Sequence, residues 1–90
     1  DIFLFNTEIQ TIQEDLEIDR LRKALEDDNR IVELRQRVRK AAESQLVNGV
    51  IDTTDLLRKI TDETTANLNR STHEIELLQA IYKLKTTLNQ

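Results

Sequence analysis

The sequence predicts an all-α fold, a long antiparallel two-helix coiled-coil hairpin that self-associates in isolation. Three observations predict it. The 90 residues include no Pro and one Gly, so almost nothing divides the chain into short elements. Apolar residues recur at three- and four-residue steps on both sides of that Gly. The one strong break, Asn48-Gly49, is followed within about four residues by a helix-start signal, a link that forces the second helix to run back along the first. The whole of residues 1–90 is therefore expected to form a single helical hairpin.

The first helix is expected from about residue 7 to 47. Ile9, Ile12 and Leu16 open its apolar rhythm; Ile18, Leu21 and Leu25 repeat it on a shifted face, and Ile31, Leu34, Val38, Ala41 or Ala42, and Leu46 carry it onward. Roughly forty residues at ~1.5 Å each give a helix near 60 Å, too long to be covered by its own sequence neighbours. Gly49 is the natural residue to end it, because it takes a left-handed conformation at little steric cost. The turn is expected over 48–52. Asp52 then caps the second helix, and Asp55 falls where a capping-box acid sits; both acids favour the positive end of the helix dipole. Val50 and Ile51 have two readings of equal standing, a hydrophobic staple over the new helix's first turn or a contact surface for a partner.

The second helix is expected over about 53–88. Leu57 and Ile60 begin its stripe, Ala66 and Leu68 cross a polar stretch, and Ile75, Leu78, Tyr82 and Leu77, Ile81, Leu84, Leu88 form two lines beyond. Folding back at Gly49-Val50 makes facing residues' numbers sum to about 99. That register sets Ala42 against Leu57, Val38 against Ile60, Ile31 against Leu68, Leu25 against Ile75 and Leu21 against Leu78. It continues with Ile18 against Ile81, Leu16 against Leu84 and Ile12 against Leu88. Two lines of apolar residues on one helix exceed what a single partner helix covers, so further helices or further copies are implied.

Charge and composition exclude several classes of function. A net charge of −4 and the lack of a Lys/Arg cluster speak against nucleic acid. The longest apolar run, Ile2 to Phe5, is far too short to span a bilayer. No secretory leader is recognisable, and a start without Met reads as an excised or processed segment. No Cys means no disulfide or thiolate metal site. His73 with Glu76 is one pair that nothing completes into a metal site, and the adjacent acids Asp27-Asp28 and Glu14-Asp15 diverge by about 100° on a helix. Ser44, Ser71 and the threonines have no positioned base, and Gly49 stands alone, which rules out a phosphate loop. The expectation is a structural and assembly element with no cofactor, and not an enzyme.

The stretch Ala42-Glu43-Ser44-Gln45-Leu46-Val47-Asn48-Gly49-Val50-Ile51-Asp52-Thr53-Thr54-Asp55-Leu56-Leu57 resembles the closing hairpin of TolC-like outer-membrane efflux channels. That family's pattern is Ala, an aromatic three residues before a Gly, a small apolar pair, a Ser/Thr/Asp, then an acid and two large apolar residues. Glu74 to Lys85 is similar to the family's final helix. Leu46 stands where the family often has Tyr, and Lys59 where it favours Ala. The resemblance implies the periplasmic part of an outer-membrane protein, a homotrimer in which such hairpins and their neighbouring protomers build a tunnel wall. It further implies a tip formed by Leu46, Asn48, Gly49, Val50, Ile51, Asp52 and Asp55 that docks a periplasmic adaptor protein. A free-standing coiled-coil oligomerisation or scaffold module is the alternative.

Overall fold

Helix begins at the first residue able to cap it. In the computed structural model, which describes residues 1–89, the Phe3 N–H donates to Asp1 Oδ1 at 3.0 Å and the Phe5 N–H to the Asp1 carbonyl at 3.0 Å. Helix α1 accordingly spans Ile2–Val47, and α2 spans Thr53–Leu88. α1 thus starts five residues before the expected position, because the Asp1 side chain satisfies a first-turn donor and draws Ile2–Phe5 into the helix. The end of α1, the turn and α2 fall where the sequence places them.

Tertiary contacts group the residues into two units. A terminal unit comprises Asp1–Leu25 with α2 from Thr72 onward, and a turn unit comprises Glu26–Ser71. In each, a stretch of α1 packs on a stretch of α2.

In the terminal unit, Thr11, Glu14, Ile18, Leu21 and Leu25 of α1 are buried or half-buried, as are His73, Leu77, Ala80, Leu84 and Thr87 of α2. In the turn unit the covered positions include Asp28, Val32, Arg39, Ala42 and Leu46, with Leu56, Lys59, Glu63, Ala66 and Arg70. Alternating three- and four-residue steps connect these positions, the 3.5-residue repeat of a coiled-coil seam. Cross-helix bonds join residues about equally far from Gly49 on either side. Thr87 meets Glu14, Arg39 meets Glu63, Arg35 meets Asp62 and Arg70 meets Asn29.

The register therefore holds, but the face of α2 differs from the one expected. Leu21 is only 1% exposed while Leu78 is exposed, and Leu77 takes the covered place. Ala42 is buried with Leu56 covered and Leu57 outward. Leu25 shares its level with His73, since Ile75 points out. Val38 is half-buried but Ile60 exposed; Ile31 and Leu68 are both exposed, with Val32 and Ala66 covered instead. Ile12, Leu16 and Leu88 are exposed as well. Ile18 and Ile81 are both covered, as expected. One position along a helix is a rotation of about 100°, so picking the bulkiest residue at each level selects the wrong side. α2 turns small or polar residues toward α1 and most of its large apolar ones away.

One level of the terminal-unit seam is polar. Gln10 Nε2 donates to Glu14 Oε1 at 3.1 Å and to Thr87 Oγ1 at 3.3 Å. The Thr87 hydroxyl lies 3.0 Å from Glu14 Oε1 and 3.1 Å from the Lys83 carbonyl, and its one proton serves either acceptor. Glu14 Oε2 is buried without a hydrogen-bond partner. A covered acceptor with nothing to accept from is destabilising, while polar levels of this kind fix coiled-coil register.

Two stability measurements check this seam. Leu21→Ala is expected to cost about 2–4 kcal/mol in urea unfolding, whereas Leu78→Ala at low protein concentration stays within about 0.5 kcal/mol. Glu14→Leu is expected to raise stability by about 1 kcal/mol, because it removes the orphaned oxygen and adds apolar packing. A lower melting temperature for Glu14→Leu would mean that the Gln10–Glu14–Thr87 bonds outweigh that orphan.

Candidate docking tip

The reversal is built from backbone hydrogen bonds that need one left-handed residue. The Val50 N–H donates to the Gln45 carbonyl at 2.8 Å, and the Gly49 N–H to the Leu46 carbonyl at 3.0 Å. This six-to-one and five-to-two pair is the Schellman ending of a helix. Gly49 has φ +73°, the conformation that ending requires. A Cβ built on Gly49 meets nothing within 4 Å, so the demand for glycine is conformational and not steric.

α2 starts immediately after. The Asp55 N–H donates to Asp52 Oδ1 at 2.8 Å, and the Asp52 N–H reaches back toward Asp55 Oδ2 at 3.5 Å. This is a capping box with aspartate at both ends, as the sequence predicts, and both acids sit at the positive end of the α2 dipole.

The tip residues sort into two groups. Leu46 is half-buried at a seam position of α1, and Ile51 and Asp55 are half-buried, whereas Asn48, Gly49, Val50 and Asp52 are exposed. Ile51 occupies the staple position before the cap, and its counterpart in the first turn, Leu56, is half-buried too. Val50 is 69% exposed. Its neighbour in exposure is Val47, at 85%, which the sequence reading left out because it ends α1 without extending the inner seam. The signal for Val47 was available in its position, one residue past Leu46 and hence rotated outward. Ile51 thus follows the staple reading, and Val50 with Val47 forms the outward apolar pair.

Two shallow depressions lie along the helices next to the turn. An open depression of about 270 Å³ is lined by Glu43, Ser44, Val47 and Asn48, and a second of about 380 Å³ by Thr54, Leu57, Arg58, Lys59, Thr61 and Asp62. Arg39 braces the helices behind the turn. Its Nε donates to Glu63 Oε2 at 2.6 Å across the hairpin, and its Nη1 to Glu43 Oε1 at 2.8 Å along α1. These bonds, Glu63's foremost, raise the guanidinium pKa further above its ordinary value. Arg35 and Asp62 add a looser cross-helix pair at 3.8 Å. Leu46 and Lys59, where the chain departs from the pattern it resembles, both occupy seam positions and are half-buried. They alter how the two helices pack more than what the tip presents.

The tip is suited to apolar contact ringed by hydrogen-bonding groups. Among the described residues no group of three or more His, Cys, Asp or Glu is placed to hold a metal ion, and no helix is long and apolar enough to cross a membrane. Gly49→Ala is expected to cost about 1 kcal/mol from backbone strain alone, and Asp52→Ala a further ~1 kcal/mol from loss of the cap. Thermal melts of both variants and of the double variant measure these costs. A Gly49→Ala protein as stable as the parent would mean that the turn tolerates a non-glycine left-handed residue. Compared with protein-family models, with curated proteins and with solved structures, the chain matches none.

Proposed function

We infer that this chain is the periplasmic helical hairpin of a TolC-like outer-membrane efflux or export channel, forming tunnel wall and presenting the Gly49 turn to a periplasmic adaptor. The observation that carries the reading is the outward pair Val47 and Val50 on a tightly hydrogen-bonded reversal. Two small apolar side chains exposed on a rigid turn, with caps and staple already satisfied, have no packing role within the hairpin. They suit insertion between the helices of a partner. The Ala42 to Leu57 pattern links that surface to the channel family, and the apolar stripes on the outer sides of both helices suit a wall element with neighbours on each flank.

In the full-length parent, Val50→Asp is expected to reduce export to background while the trimer stays intact on a native gel. Gly49→Asp should do the same, with a small loss of stability from the strained turn. Wild-type export by Val50→Asp would remove the docking role. The second reading, a free-standing oligomerisation module, is favoured by one specific observation. On the outer side of α2, Leu57, Leu68, Ile75, Leu78 and Tyr82 are all exposed. The parent's sequence before Asp1 separates the readings, since a channel requires barrel strands and a secretion signal there.

A further inference from the structure

The outer side of α1 in the terminal unit carries its own seam. Ile2, Phe5, Ile9, Ile12 and Leu16 follow one another at three- and four-residue steps, and they are between 38% and 79% exposed. They lie on the side of the helix turned away from Ile18 and Leu21. No charged residue enters the line before Asp19. The same line then continues as Asp19, Lys23, Glu26, Arg30 and Glu33, all exposed and alternating in sign. That continuation is what a water-facing helix side looks like, and the first five positions are its opposite.

We propose that this stripe is an interface between copies of this chain, with α1 packed on α1 in parallel and in register. Surface area is the first reason. The chain exposes 6850 Å². At 10.5 kDa that is roughly 1,400 Å² more than a folded monomer of its mass exposes on average. That excess is spread over both helices, and the exposed Ile2, Phe5, Ile9, Ile12 and Leu16 are part of it; a stable interface covers about 800 Å² per partner. Layer composition is the second reason. Parallel, in-register packing sets Ile2, Phe5, Ile9, Ile12 and Leu16 each against its own kind, five consecutive apolar layers at coiled-coil spacing. The flanks supply the third. In a parallel pair, a residue at one edge of the core faces the neighbour's residue five positions on, which brings Asp1 to Asn6 and Glu8 to Gln13. Carboxylates meet amides, and no like charges meet. An antiparallel pair would instead bring Glu8 against Asp15. The outer side of α2 in this unit is a poorer mate, because Ile75, Leu78 and Tyr82 run straight into Lys85.

This interface goes beyond the channel reading and involves only the terminal unit, so the fate of the Val50 experiment leaves it untouched, and the reverse holds. The test is sedimentation velocity of the 90-residue chain from low to high micromolar concentration, with circular dichroism to follow helix content. Reversible association is expected, weakened about thirtyfold or more by Ile9→Glu with Ile12→Glu at unchanged helicity. Leu78→Glu should leave it intact. Because the chain has no cysteine, Ile2→Cys and Leu16→Cys variants mixed under oxidant report direction, and parallel packing forms only 2–2 and 16–16 disulfides. A strictly monomeric chain, a 2–16 disulfide, or association lost through Leu78→Glu and not through the isoleucines would each overturn the proposal.

Discussion

The constraint on which everything else depends is the place where the chain reverses. Two backbone hydrogen bonds and one left-handed glycine end α1 at Val47, and an Asp–Asp capping box starts α2 at Thr53. With so few residues between the helices, pairing has little freedom to slide, and counting outward from Gly49 gives the level that each seam residue meets, though not which neighbour at that level faces inward. Arg39 finds Glu63 and Thr87 finds Glu14 because both pairs lie at matched distances from that turn. Slipping one helix by a residue would rotate every seam position out of contact, so the turn and the seam must agree.

That agreement rests on a seam with little apolar substance. Leu21, Ile18, Ala42 and Ala66 are its buried apolar residues, beside buried Glu14, Asp28 and Thr87. The seam's leucines and isoleucines are interrupted by alanines, threonines and ion pairs, so it buries less apolar area than a seam of leucine and isoleucine at every level would. Cross-helix pairs such as Arg35–Asp62 are half-exposed and correspondingly weak. Polar levels of this kind do more to distinguish the right pairing from wrong ones than to hold it together. Much of the large apolar side-chain surface of this chain therefore lies on its outer sides.

The helices, the turn and the cap were legible in the sequence because each depends on local chemistry: helix formers without Pro, one Gly at the stop, Asp52 and Asp55 at the start. The early start of α1 was not, because it depends on the Asp1 side chain reaching a first-turn N–H, and in the unbroken apolar run Ile2–Phe5 the helical line of Ile2 and Phe5 does not stand out. The face of α2 was misjudged for a different reason. Bulk is a sound guide to the core when a helix has one apolar side, and α2 has two, with the larger residues on the side without a partner. The cue that would have settled it is the strict alternation of three and four through Ala66, His73, Ala80 and Thr87, polar and small residues included. At the tip, Gly49, Asp52 and Val50 were legible for the same local reasons, and Val47, one residue past the seam residue Leu46, is marked by that outward position and by its exposure.

A division of labour follows for the whole sequence. Inner positions are polar enough to choose a register and hold less large apolar side chain than the outer ones. Along one outer line α1 is apolar from Ile2 to Leu16 and charged from Asp19 to Glu33, so that line changes character part-way along the helix. The turn is where the seam positions run out, and what is left uncovered there is a pair of valines on a backbone that its own hydrogen bonds already hold. On the docking reading proposed above, such a surface adds affinity without an ordering cost, because its own hydrogen bonds already hold the turn. Gly49 and the caps fix the reversal while the valines have no packing role inside the hairpin, so substitutions at the valines leave the hairpin's folding intact.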